Sequence, residues 1–294
     1  MDLSDRVKLV LTGADRVRYL NGQVTSNVQK LAAGQTQPAC VTTAKGRLCA
    51  EIMITAVADA LYVDADASLY ETLPARLERY IIADDVTLAA CPAEMSLLHF
   101  LGEKPEWLGG PDAGDLPWLQ AAVRLGRTGW DWWADTATVA QRWPEIESRV
   151  VVLGETLAEL LRIEAGIPRW DRELNEDTLP PEAGLDRTHI DYHKGCYIGQ
   201  EVISRLKSVG HVNRQLTGFV STTGAPLSAG APLFAPGDDT RAVGVLTSVA
   251  ESFALEKPIA LGYLKRGSPT GALLARPADA PGAAVTVCAL PFLS

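Results

Sequence analysis

The chain has 294 residues, 47% of them hydrophobic and 21% charged, and a formal net charge of −9. This composition is typical of a folded globular protein, and the length predicts more than one compact unit. The negative charge argues against broad nucleic-acid binding, which depends on neutralising phosphates. No apolar run is long enough to span a membrane and the first residues do not resemble a signal peptide, so we expect a cytoplasmic protein.

The cysteines and histidines do not form a recognisable metal site. None of the five cysteines belongs to a Cys-x-x-Cys pair, which argues against zinc or a cluster held by this chain alone. His189 and His193 are four residues apart, but the neighbouring Gly195 argues against the helix that would bring them together. We therefore predict no metal ligands.

The N-terminal part mixes strand and helix patterns. Alternating or apolar runs predict strands at 7–11, 39–43, 48–57, 61–63, 86–90, 95–101, 121–125 and 130–133. Three- and four-residue spacing predicts a short helix opening at 13–15 and another at 68–80, which contains Pro74. The stretch 102–116 is rich in Gly, Pro and acidic residues and predicts an exposed loop between two α+β units.

The cluster Trp130-Asp131-Trp132-Trp133 has two interpretations. It could stack a flat ligand, or it could be a strand that supplies large side chains to a core. We favour the core.

The clearest helix pattern covers 156–165, with Leu157, Leu160, Leu161 and Glu164 on one face. Gly166 and Pro168 then end the helix. Arg162 and Glu164 fall in its last turn, where a carboxylate opposes the negative end of the helix dipole. Glu164 therefore needs a partner or a function.

From residue 211 the chain consists of short β-like runs separated by Gly, Pro and Asp. They cover 216–221, 232–234, 242–249, 259–264, 272–275 and 284–290. This spacing is typical of a small antiparallel barrel or sandwich. We therefore divide the chain into an N-terminal region, 1–210, and a C-terminal β-barrel, 211–294.

The segment 186–210 has no hydrophobic period at its start but is dense in charge. Cys196 stands just ahead of a helix predicted to begin near Gln200 and to close at Gly210. The positive helix end and the nearby Lys194 both favour a thiolate, which predicts a Cys196 pKa below the usual ~8.5. A structural thiol is the alternative.

Lys194-Gly195-Cys196-Tyr197-Ile198-Gly199-Gln200-Glu201 resembles the signature of the YgfZ-type folate-binding proteins. These are relatives of the T-protein, or aminomethyltransferase, of the glycine cleavage system. The stretches 19–28, 162–168 and 242–248 also resemble elements of that superfamily in kind and order.

The resemblance implies an α+β, aminomethyltransferase-like fold in which two N-terminal units and the barrel surround a central opening for tetrahydrofolate or a one-carbon derivative. Glu164 would contact the pterin, and Arg162 would orient Glu164 or meet the ligand. Further candidates for folate binding are Lys194, Tyr197 and Arg205, the first and last of them for the folate carboxylates.

The resemblance also implies a role in iron–sulfur enzyme assembly or repair and in tRNA modification. Its partners would be iron–sulfur client or assembly proteins, with Cys196 as the working thiol and Lys194 beside it. A pure interaction module, in which folate only stabilises the fold, is a further possibility.

A folate-dependent aminomethyltransferase is the alternative enzyme. In that family, as the resemblance has it, a pair of aspartates accompanies the folate site. The corresponding stretch here holds only Glu51, after Ala50, and the longer side chain would displace the carboxylate by about an ångström. Glycine-cleavage activity is therefore doubtful.

Overall fold

The computed structural model describes residues 1–108, 116–208, 210–238, 240–279 and 281–293. The chain forms two compact units: Met1–Leu153 with Asp186–Ser204, and Gly154–Leu185 with Arg205–Ser294. This division differs from the predicted boundary at residue 210, because residues 154–185 fold with the C-terminal strands.

The first unit contains a five-stranded antiparallel sheet with the order β2-β3-β4-β1-β5. Its strands are β1 (Val7–Thr12), β2 (Gln35–Thr42), β3 (Leu48–Ala56), β4 (Leu61–Ala65) and β5 (Thr87–Ala90). Helices α1 (Arg16–Gln23) and α2 (Thr72–Glu78) belong to the same part of the chain. The helix predicted at 68–80 is shorter than expected, because a 3-10 turn at Ala67–Leu69 precedes α2. Pro74 lies in the first turn of α2, where its missing N–H costs no helical bond.

A three-stranded antiparallel sheet, ordered β6-β8-β7, completes the strands of this unit. It consists of β6 (Met95–Leu101), β7 (Trp118–Arg124) and β8 (Arg127–Asp135), followed by helix α3 (Thr136–Arg149). Helix α3 was not predicted from the sequence, although Asp135 is an N-cap whose carboxylate accepts a hydrogen bond from Thr138 N at 2.8 Å. Residues 109–115 of the loop predicted at 102–116 lie outside the described residues. Within the described part of that stretch, Glu106–Leu108 forms a 3-10 turn.

The tryptophan cluster at 130–133 mainly packs in the core, which confirms the interpretation that we favoured. Trp132 and Trp133 are both 0% exposed and point to opposite faces of β8. Trp133 stacks on Trp118, with 5.3 Å between ring centroids. Only Trp130 is partly exposed.

The second unit contains a closed six-stranded barrel with the order β10-β11-β12-β9-β14-β13. Its strands are β9 (Arg214–Ser221), β10 (Pro232–Phe234), β11 (Ala242–Ser252), β12 (Lys257–Lys265), β13 (Ala272–Ala275) and β14 (Ala283–Cys288). Closure pairs both edges, so the barrel has no free strand. The predicted α+β class and the C-terminal antiparallel barrel are confirmed.

Helix α4 (Glu155–Glu164) packs on the barrel through Ile163, which is 0% exposed and contacts the cluster that contains Ile259 and Leu261. The predicted face of this helix was wrong in one respect, because Leu157 is 37% exposed. The buried face of the helix is rotated relative to the predicted face, because it includes Arg162. A hydrophobic pattern places such a charged residue on the solvent side. Helix α5 (Gln200–Ser208) begins at Gln200, within the Lys194–Glu201 motif. Within the described ranges, no helix has the length and apolar character to cross a bilayer.

Candidate functional site

In the first unit, Lys194 connects the start of the Lys194–Glu201 motif to the end of α1 and the residues after it. Its ammonium donates to the carbonyl oxygens of Asn21, Val24 and Ser26 at 2.6, 2.7 and 2.7 Å, and the residue is 7% exposed. An ammonium has three N–H donors, so these carbonyls use all of them. Burial lowers the pKa of Lys194 to about 8. In this geometry Lys194 is an anchor and has no donor left for a folate carboxylate.

Further hydrogen bonds fix the same segment on both sides of Lys194. Thr25 accepts from Asp191 N through its carbonyl and donates its hydroxyl to the carbonyl of His189. Gly199 has a φ of +90°, and a Cβ there would lie 2.5 Å from the carbonyl oxygen of Thr43. Only glycine fits this approach, which explains its place in the motif.

Cys196 lies on this anchored segment and is exposed. The next residue, Tyr197, is 7% exposed, and no described residue hydrogen-bonds its hydroxyl. Burial raises the pKa of Tyr197. The ammonium of Lys194 lies 5.2 Å from the centroid of the Tyr197 ring. The segment therefore combines an accessible thiol with a buried phenol whose hydroxyl is free.

Glu51 and His189 form a pair that was not predicted from the sequence. His189 Nε2 lies 3.2 Å from Glu51 Oε1, and His189 Nδ1 lies 2.7 Å from the Thr188 hydroxyl. Burial acts to raise the pKa of Glu51, but the hydrogen bond and charge of His189 outweigh it and hold that pKa below its usual value. Glu51 is thus an ionised carboxylate that orients an imidazole. In the described part of the chain, no three His, Cys, Asp or Glu side chains are grouped as metal ligands.

In the second unit, Glu164 has the partner that its position at the helix end requires. The residue is 7% exposed, and its Oε1 accepts a hydrogen bond from the Ser252 hydroxyl at 2.6 Å. No described residue donates to Oε2. A nearly buried carboxylate therefore keeps one oxygen available for a ligand.

Arg162 has a different role from the two that we predicted. Its guanidinium donates to both carboxylate oxygens of Glu159, to Glu173, to the carbonyl of Ile167 and to the Ser248 hydroxyl. These five contacts match the five N–H donors of a guanidinium. Arg162 therefore has no hydrogen bond to Glu164 and no N–H left for a ligand, and it links α4 to β11 through Ser248.

Arg205 lies in α5 and is exposed. Within the described residues, its guanidinium has no ion pair. Arg205 is therefore a predicted folate-binding cation that has no ion-pair partner among the described residues.

Known proteins match the chain over most of its length. Residues 214–293 match the glycine cleavage T-protein C-terminal barrel domain. The chain is 28% identical over 289 residues to an aminomethyltransferase of Synechocystis sp., which covers 90% of this chain and 76% of the relative. It is 25% identical over 264 residues to the tRNA-modifying protein YgfZ of Yersinia pseudotuberculosis, with 85% and 80% covered.

Among solved structures, the aminomethyltransferase T of the glycine cleavage system from Bartonella henselae superposes with a TM-score of 0.85. It is 21% identical and covers 99% of this chain and 85% of its own. The fold is therefore that of the glycine cleavage T-protein. Together with the sequence matches, it confirms the predicted resemblance to the YgfZ-type proteins and the aminomethyltransferases.

Proposed function

We propose that the protein binds tetrahydrofolate and supports the assembly or repair of iron–sulfur enzymes, with Cys196 as its functional thiol. The observation that carries the folate assignment is the Glu164 carboxylate, with one oxygen held by Ser252 and the other open. A carboxylate in this state can accept hydrogen bonds from the aminopyrimidine edge of a pterin. A reduced folate, when bound, supplies a carrier for one-carbon groups.

Titration calorimetry with tetrahydrofolate tests the ligand. Glu164→Ala should weaken binding roughly 10- to 150-fold, the loss of a charge-assisted hydrogen bond of ~1.5–3 kcal/mol. Glu155→Ala is the matched control, because Glu155 is an exposed carboxylate in the first turn of the same helix. Equal affinity in the wild type and Glu164→Ala would remove Glu164 from the folate site.

The thiol assignment rests on the exposure of Cys196 within an anchored segment. In this proposal the iron–sulfur clusters belong to the client enzymes, and this chain contributes only the Cys196 thiol. A strain that lacks the protein should regain iron–sulfur enzyme activity with the wild type or with Cys288→Ser, but not with Cys196→Ser. Full rescue by Cys196→Ser would contradict a role for this thiol.

An aminomethyltransferase is the second candidate, favoured by the ionised Glu51 and by the relatives that carry this name. Glu51 differs from the expected aspartate pair, and His189 occupies one of its oxygens. We therefore expect no release of ammonia from an aminomethyl carrier protein. Turnover on the order of 1 per second that is abolished by Glu51→Gln would favour the aminomethyltransferase over the iron–sulfur role.

A further inference from the structure

Thr188, His189 and Glu51 form a continuous series of hydrogen bonds in the first unit. The Thr188 hydroxyl lies 2.7 Å from His189 Nδ1, and His189 Nε2 lies 3.2 Å from Glu51 Oε1. A hydroxyl, an imidazole and a carboxylate linked in this order can activate the hydroxyl as a nucleophile. The series includes neither Glu164 nor Cys196, on which the folate and thiol assignments rest.

The ionised Glu51 sets the direction of these hydrogen bonds. A carboxylate only accepts, so His189 Nε2 carries the hydrogen and donates it to Glu51. In that tautomer His189 Nδ1 has a lone pair and accepts from the Thr188 hydroxyl. The imidazole is therefore in the form that can take a proton from Thr188, and the charge of Glu51 stabilises the imidazolium that results.

The fold holds this imidazole in place from two directions. Glu51 lies on β3, which pairs with β2 on one side and with β4 on the other. The main-chain carbonyl of His189 accepts from the Thr25 hydroxyl at 2.6 Å, and Thr25 is 0% exposed. The His189 side chain itself is 12% exposed. Because the base is already positioned, little orientational freedom is lost when the hydroxyl reacts.

The nucleophile, in contrast, is open to solvent. Thr188 is exposed, so a small substrate can reach its hydroxyl. The N–H groups of the next two residues, His189 and Ile190, donate to no acceptor in the described part of the chain. In many hydrolases the N–H of the residue after the nucleophile stabilises the developing oxyanion. The segment thus supplies an accessible hydroxyl with main-chain donors beside it.

We propose that the first unit hydrolyses small carboxylic esters through an acyl intermediate on Thr188. Thr188 and His189 are the catalytic residues, and Glu51 is the positioning residue. Thr188 Oγ1 forms a bond to the ester carbonyl carbon while its proton passes to His189 Nδ1. The bond to the leaving oxygen then breaks, and His189 gives the proton to that oxygen. Water releases the acyl group by the same proton path, so ester and water yield acid and alcohol.

The probe is p-nitrophenyl acetate, because absorbance follows the release of nitrophenol. The full-length Cys196→Ser variant is the parent for this assay, since the exposed thiol would react with the same ester. We expect sustained release, with acetyl-Thr188 found by peptide mass spectrometry after an acid quench. Thr188→Val and His189→Ala should each lower the rate roughly 100-fold or more, whereas Thr188→Ser should retain it.

Two matched controls test whether the position of the residue matters. Thr128 is an exposed threonine on β8, and His193 is an exposed histidine on the same segment as His189. Thr128→Val and His193→Ala should therefore hydrolyse the ester like the Cys196→Ser parent.

Glu51→Gln separates positioning from folding. The amide keeps the shape of the side chain but no longer selects the tautomer of His189, so kcat should fall at least roughly tenfold while KM and the circular dichroism spectrum stay the same. Equal rates in Thr188→Val and the parent, acetyl groups on residues other than Thr188 alone, or equal rates in His189→Ala and His193→Ala would each overturn the proposal.

Discussion

The five cysteines differ sharply in their surroundings. Cys196 is exposed, whereas Cys40 is 0% exposed and burial raises its pKa well above the usual value. Burial also raises the pKa of Cys91 to about 12 and that of Cys288 to about 11. At pH 7.5 a thiol of pKa 11 is only about 0.03% thiolate, the form that reacts.

We therefore expect iodoacetamide to modify Cys196 first in the native protein, with peptide mass spectrometry following each cysteine over time. Denaturation in urea, which exposes all five, is the control and should make their rates similar. If Cys91 or Cys288 reacts as fast as Cys196 without denaturant, the prediction that Cys196 is the most reactive thiol is wrong. The sequence prediction of a lowered Cys196 pKa remains to be measured in the same experiment across a pH series.

Lys194 should matter for stability. Lys194→Met leaves the carbonyls of Asn21, Val24 and Ser26 without their donor, which should reduce the free energy of unfolding by about 1–3 kcal/mol. Lys257→Met is the control, because Lys257 is exposed in the barrel and should change stability by less than about 0.5 kcal/mol. Urea unfolding at pH 7 measures both variants, and an equal effect would argue against the anchor role.

The same residue predicts a pH dependence. The folded-state pKa of Lys194 is about 8 and its ordinary value is 10.5, so between these values the unfolded chain binds the proton that the folded chain has released. Stability from this group therefore rises with pH across that window and is lowest below pH 8. The difference in unfolding free energy between wild type and Lys194→Met should change in this direction between pH 8 and 10. A difference that stays constant would contradict the lowered pKa.

Strands β6 and β8 approach so closely that one position between them admits no side chain. A Cβ on Gly129 would lie 2.3 Å from the Phe100 carbonyl and 2.7 Å from His99 Nε2. His99 is 1% exposed, and its Nδ1 lies 2.7 Å from Asp131 Oδ1. Arg124 bonds Asp131 and also Asp64 on β4, so this buried charge network joins the two sheets of the first unit.

Gly129→Ala should therefore lower the unfolding free energy by about 1–3 kcal/mol, the usual cost of overpacking. Gly22→Ala is its counterpart, because Gly22 lies inside α1 with no atom within 4 Å of the added Cβ. The helix propensity of alanine should make this variant more stable by roughly 0.5–1 kcal/mol. Denaturant unfolding distinguishes the two, and a neutral Gly129→Ala would show that the strands can separate.

The second unit depends on chain segments that are distant in sequence. Ile163 packs among Leu216, Ile259 and Leu261, and Tyr263 donates its hydroxyl to the Glu173 carbonyl at 2.9 Å. Glu173 also accepts from Thr247 and Ser248 on β11. Residues 154–185 therefore cover one side of the barrel and satisfy its polar groups.

A fragment of residues 211–294 should consequently fold poorly, although it contains all six barrel strands. Joining residues 154–185 to 205–294 through a flexible linker should restore a cooperative thermal transition, followed by circular dichroism. Arg162→Met in the joined chain is the control, since it leaves Glu159 and Glu173 without their shared partner and should lower the Tm. An equally cooperative transition in 211–294 alone would show that the barrel is independent.

The sequence by itself determined the strands and the barrel, because apolar alternation and turn residues act over a few neighbouring positions. The strands at 232–234 and 272–275 were predicted with the bounds that the structure gives β10 and β13. The resemblance to the T-protein family followed from the Lys194–Glu201 motif, in which Gly199 has a φ of +90°. Helix α3 was missed although its N-cap was readable at Asp135.

Only the tertiary structure decided what the charged residues do. Lys194 bonds a carbonyl 173 positions away, Arg162 a hydroxyl 86 positions away, and Glu51 an imidazole 138 positions away. A buried charge takes whichever partners the fold brings near, since leaving it unpaired costs several kcal/mol. Periodicity carries no information on such distant partners. For this reason Lys194 and Arg162, which the motifs suggested for folate, are anchors of their own units, while Glu164 keeps an open oxygen.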